Sequence, residues 1–244
     1  MKILIPTAKE LNTQVAQIEP ESLSEKTKLI IRALSQYSVA DLAQLYQIRP
    51  EKAKEEYQRI QKLQNETALT YPALYLFDGL MYRNIKRKNL TKEEEQYVQN
   101  HLLITSSLYG VIPALAPIAP HRLDFMTKLK VEKQSLKKLW TETYGQAVAD
   151  QEILLSLLSS EFEEVFPKEV RDKMIRFKFM EEKDGKRKIH STISKKARGQ
   201  FLSYLIENHI TKLSDIKQSS FSGFKFQENL SQEREFVFVK KVDG

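Results

Sequence analysis

Residues 175 to 179 read Ile-Arg-Phe-Lys-Phe, and Asp184-Gly185 follows within a few positions. Apolar Ile175, Phe177 and Phe179 alternate with Arg176 and Lys178, the period of two that belongs to a strand with one buried face. Asp-Gly is the turn that such a run demands, because a tight hairpin loop needs residues that tolerate positive φ. Ile189 and Ile193 continue the alternation, so the hairpin is expected to return to about residue 193 with its cations facing outward. A hairpin apolar on one face must be covered, and the rest of the chain supplies helices to cover it.

Lys2 to Pro6 reads as a short buried strand stopped by proline, with Thr7-Ala8-Lys9 as a loop at its carboxyl end, where mixed sheets commonly carry function. Helical spacing marks Ser22 to Gln36 and Val39 to Tyr46, and Pro50 opens a third helix. The pair at about 39–64 forms a helical hairpin, either a plain one or a helix-hairpin-helix that grips a DNA phosphate with backbone N–H groups. The usual glycines are missing from its turn. Thr91 and Glu94 form a capping box. Leu102 to Leu108 is expected as a buried strand or turn, and the prolines at 113, 117 and 120 as an ordered loop. Ser135 to Ala149 is helical, Ile153 to Leu158 is helix or strand, and Ser194 is expected to cap a helix running to Asn208. Phe224 to Phe226 and Phe236 to Val239 close the chain as strands. The expected fold is α+β, one compact domain over residues 1–244 with a mixed sheet, surrounding helices and a helix-hairpin-helix-like element.

Cysteine is absent, which removes disulfides, thiolate nucleophiles and cysteine-held metals, and fits a reducing cytoplasm. No apolar run approaches the roughly 20 residues that a membrane span needs. The net charge of +7 points to anionic partners, and its distribution sharpens the point. Between Lys168 and Arg198 there are 12 Lys/Arg against 5 Asp/Glu, a surplus equal to that of the whole chain. Arg83, Lys86, Arg87, Lys88 and Lys92 form a second run without an acid.

Lys195, Lys196 and Arg198 are expected in the first turn of the last long helix, where they would oppose its dipole unless a phosphate or carboxylate compensated. The local excess of positive charge favours phosphate, and Gly199 would let backbone approach it. Catalytic candidates are sparse. Asp78 and Asp124 sit in apolar settings and could act as acids, or could cap a turn before Gly79 and pair with Arg122 respectively. His101, His121, His190 and His209 lack metal-ligand spacing, so no metal site and no cofactor are expected. No Gly-rich nucleotide loop and no nucleophile elbow occurs.

Several stretches in order resemble the YaaA peroxide-stress proteins: ILIPTAKEL (3–11), FDGLMYRNI (77–85), HLLITSSLYGVI (101–112), HRLDF (121–125) and KDGKRKIHSTISKKARG (183–199). SGFKF (222–226) and EFVFVKK (235–241) match the closing strands. The resemblance implies a cytoplasmic bacterial protein that limits peroxide and iron-mediated damage, with a positively charged cleft for duplex or branched DNA; since no recognition helix is evident in the sequence, little sequence specificity is expected. It favours Lys9, Tyr82, Tyr109, Arg122, Lys195, Lys196 and Arg198 as cleft residues, to which the charge pattern adds Arg83, Lys186, Arg187 and Lys188. The chain departs from the family pattern at Pro6, Thr7 and Ser107, and ALAPI (114–118) lacks the arginine and acid usual there. An enzyme acting on a damaged or modified nucleobase or nucleotide is the alternative.

Overall fold

The structure is a computed structural model and describes residues 1–242. Nine strands form one mixed sheet: β1 (Lys2–Pro6), β2 (Leu102–Ser106), β3 (Gly110–Pro113), β4 (Leu154–Ser156), β5 (Ile175–Lys183), β6 (Lys186–Lys188), β7 (Ser220–Phe221), β8 (Phe224–Phe226) and β9 (Glu235–Lys241). Their spatial order is β7-β8-β9-β5-β4-β1-β2-β3, with β6 folded back on β5. The middle five, β9 to β2, are parallel. Six longer helices surround them: α1 (Glu25–Ser35), α2 (Val39–Tyr46), α3 (Pro50–Gln64), α4 (Lys92–His101), α5 (Leu136–Gln146) and α6 (Ser191–Glu207).

Parallel strands covered on both faces need apolar residues at successive positions, and β1 shows why. Ile3 and Ile5 enter the core beneath α4 and α6, while Leu4 enters the opposite core with α1, α2, α3 and α5. Leu154 and Leu155 divide the same way. One compact mixed α/β domain results, with the mixed sheet and surrounding helices that the sequence leads one to expect. Helix starts follow local chemistry: Ser24 caps α1, Ser38 with Asp41 and Thr91 with Glu94 form capping boxes, and Pro50 occupies the first position of α3.

Four expectations change. The hairpin return stops at Lys188 rather than near 193, since Ile189 is exposed and Ile193 already lies in α6. That helix begins at Ser191 without a side-chain cap from His190, so Ser194 is not its cap. Lys195, Lys196 and Arg198 consequently sit beyond its first turn, where the dipole opposes them less. The proline-rich stretch is not wholly loop: Pro113 ends β3 and Pro117–Ile118 pairs with Tyr71–Pro72, because edge strands tolerate a missing N–H. The stretch Ile153 to Leu158, open between helix and strand, contains β4 at Leu154–Ser156.

Gly199 is a packing glycine. A Cβ there would lie 2.3 Å from the Met81 carbonyl and 2.8 Å from Asn84 Cβ, so only glycine lets α6 rest on the turn at Tyr82–Asn84. The helical hairpin at 39–64 is present, and Gln47 closes α2 with φ of 53°. The N–H groups of Gln47 and Ile48 bond back to Gln44 and Ala43 carbonyls, which commits two of the three turn amides within the hairpin.

Candidate functional site

Strand β1 pairs with β2 on one side and with β4 on the other, so chain connections leave it in opposite directions. At such a switch point the loops beyond the carboxyl ends of the strands part and leave a crevice. A cleft of about 640 Å³ opens there, walled by residues 6–10 after β1, 79–83, 122–124, 159–162 after β4, and the start of α6. Two contacts hold its floor. Gly79 lies so close to Ala8 that a Cβ would stand 2.7 Å from that methyl group, and the Tyr82 hydroxyl donates to the Pro6 carbonyl at 2.8 Å.

The cleft cations divide by partnership. Lys9 pairs with Asp124 at 2.6 Å and Arg83 with Glu10 at 2.5 Å. Arg122, Lys195 and Arg198 line the same cleft and form no salt bridge among the described residues. Arg198 is half-buried, and burial draws its pKa down against the weaker pull of Glu163. An arginine held this way keeps its charge and gains from an anion.

The acids divide too. Asp124 also accepts from the Met126 and Thr127 N–H groups, so it braces a turn while holding Lys9. Asp78 lies behind the wall, bonded to Arg87 at 2.9 Å with Arg83 at 3.7 Å. The expected pairing of Asp124 with Arg122 gives way to Lys9, and Asp78 serves two arginines rather than a turn. Glu161 differs from both. One of its carboxyl oxygens, Oε1, is buried without any donor, and burial, reinforced by Asp124, pushes its pKa up while Lys9 opposes. Sequence reasoning missed it, because only the ending of β4 at the switch point marks the Ser-Ser-Glu-Phe stretch.

The structure brings Lys9, Tyr82, Arg83, Arg122, Asp124, Lys195 and Arg198 together in one cleft. It sets the others apart. Tyr109 accepts from the Ala119 N–H and lines a separate cavity of about 330 Å³. Lys186, Arg187 and Lys188 stand exposed on β6, with Arg187 paired to Glu182 at 2.6 Å, and Lys196 is exposed on α6 outside the cleft lining. Behind the cleft, His121 is buried between Phe77 and Tyr109 with no partner for either ring nitrogen, and burial draws its pKa down to about 3. Among the described residues no group of three His, Cys, Asp or Glu could hold a metal ion, and no described helix is long and apolar enough to cross a membrane.

Comparison with known proteins fits this arrangement to a family. The family model described as peroxide stress protein YaaA matches residues 1–230. Proteins named UPF0246 protein from Streptococcus pneumoniae, among them those of strain CGSP14 and of serotype 2 strain D39, are 55% identical over 242 residues, covering 99% of this chain and 100% of theirs. The chain belongs to the peroxide stress protein YaaA family.

Proposed function

We propose that the protein binds DNA through the switch-point cleft and that this binding serves protection of the cell against peroxide stress, the role for which its family is named. The observation that carries the reading is the convergence of Arg122, Lys195 and Arg198, three cations without salt-bridge partners among the described residues, on one cleft. Surface lysines and arginines ordinarily find carboxylates or water, whereas these share a concave wall that a phosphate can enter. Three phosphate contacts would give a log–log salt slope of about −2.7, a loss of roughly 40-fold between 50 and 200 mM salt. Fluorescence anisotropy of a labelled duplex and a four-way junction across that range tests the reading. Salt-sensitive binding that a Lys195→Ala/Arg198→Ala variant loses supports it, and binding indifferent to the variant removes it.

Glu161 favours a second reading, an enzyme acting on a modified nucleobase or nucleotide. Asp78 lies outside the cleft lining and Asp124 within it, both held by cations, while Glu161 lines the cleft with a raised pKa and could move a proton. Loss of turnover on a panel of modified nucleotides in Glu161→Gln, with DNA affinity kept, would support this reading. Absence of turnover in the wild type would end it.

A further inference from the structure

The cleft lining combines two kinds of polar group: Arg122, Lys195 and Arg198, cations without salt bridges among the described residues, and Glu161, whose Oε1 is buried without a donor. The same lining includes the apolar residues Leu80, Met81, Leu123 and Phe162. A ligand that fills this space needs an anionic group, a flat or apolar body, and hydrogen-bond donors. The volume of about 640 Å³ suits a single small molecule or one extruded unit of a polymer, and is far too small for a stacked duplex.

We infer that the cleft takes one nucleotide unit, with its phosphate on Arg198 and Lys195 and the N–H-bearing edge of its base on Glu161. This deepens the DNA reading and rests on the same cleft being the nucleic-acid site. A carboxylate only accepts, so it selects base edges that donate. Guanine presents two adjacent donors, N1–H and the 2-amino group, adenine and cytosine one amino group each, and thymine one ring N–H. Guanine therefore fits best. The unpartnered Oε1 supplies the second observation: a buried acceptor without a donor costs free energy, and it marks Glu161 as the cleft acid with unused accepting capacity. Pairing with the base also explains why the other cleft acids are occupied. Glu10 is held by Arg83 and Asp124 by Lys9, which leaves Glu161 as the acid without a salt bridge among the described residues lining the cleft. In a DNA strand, a nucleotide reaches such a site only by leaving the stack, at a cost smallest at mismatched or damaged positions.

Isothermal titration of the full chain with dGMP, dIMP, dTMP, deoxyguanosine and inorganic phosphate tests the assignment. The expected order places dGMP first. dIMP, which lacks the 2-amino donor, should bind about tenfold more weakly, because a site built around a hydrogen bond discriminates against the analogue without it. Glu161→Gln should weaken dGMP by about tenfold or more and leave inorganic phosphate unchanged, whereas Arg198→Ala should weaken both. The dIMP comparison needs no variant, so it holds even where a substitution disturbs folding. dGMP binding no tighter than phosphate, or a wild type that does not separate dGMP from dIMP, overturns the assignment. Anisotropy of labelled duplex on the same samples separates the two readings: DNA binding without nucleotide discrimination retains the DNA-binding cleft and discards the single-nucleotide site.

Discussion

The start and the middle of α6 meet opposite surroundings. Its middle packs on the apolar face of β5, β7, β8 and β9, where Phe201 lies 4.8 Å from Phe177, 5.2 Å from Phe221 and 5.4 Å from Phe238 between ring centroids. Its start enters the cleft, where Arg198 and Lys195 lack salt bridges among the described residues, Glu161 Oε1 lacks a donor, and His121 lies buried and unpartnered behind. The first region completes its own contacts. The second leaves polar groups unfinished at a cost to the fold, which is the pattern of a site that awaits a ligand.

Substitutions in the two regions should therefore act on different observables. Phe201→Ala should cost about 3–5 kcal/mol of stability, read as a lower denaturation midpoint, because it opens a cavity among rings that cannot collapse. A loss below about 1 kcal/mol would mean that the aromatic region is not the stabilising half.

His121 sharpens the contrast through pH. Its folded pKa of about 3 lies below the ordinary value of 6.5, so the unfolded chain binds a proton that the fold refuses. Stability is lost as pH falls from 6.5 towards 3, by about 1.4 kcal/mol for each pH unit. In His121→Phe that part of the acid sensitivity should vanish, and denaturation at pH 6.5 and 4.5 measures it. Equal slopes in the two proteins would show that His121 finds a partner in solution.

Gly199→Ala should cost about 1–3 kcal/mol by overpacking against Met81 and Asn84 while leaving the DNA affinity of the folded fraction intact. Lost affinity at unchanged stability would move Gly199 from the packed region to the site. The smallest effect is expected at Glu161, whose raised pKa makes its neutral form the one the fold prefers. Its stabilising share is present at pH below the ordinary 4.5 and is lost as pH rises through the raised value, so Glu161→Gln should lift the thermal midpoint slightly at pH 7 and not at pH 4.

Much of the aromatic half is legible in the sequence, because alternation at Ile175, Phe177 and Phe179 is a local signal and the closing strands repeat it. Capping boxes at Ser38 and Thr91 are legible for the same reason. The cleft is not local. Its residues come from five separate segments, and only the position of β1 between β2 and β4 gathers them. Charge counting found Lys195 and Arg198 but weighted Lys186, Arg187 and Lys188 equally, although these stand on an exposed strand outside the cleft lining. Glu161 left no trace in the sequence, since a half-buried acid with one unpartnered oxygen looks like any surface glutamate until burial is known.

The central claim is that cations gathered in the cleft, rather than cations exposed on β6, hold DNA. Anisotropy with labelled duplex at 50 and 200 mM salt should be measured for Arg122→Ala/Arg198→Ala and for Lys186→Ala/Arg187→Ala/Lys188→Ala, both checked for intact folding. The cleft variant is predicted to lose most of the salt-sensitive binding and the β6 variant to retain it with a slope changed by no more than about 1. The reverse result, binding lost with β6 and kept without Arg122 and Arg198, would contradict the account.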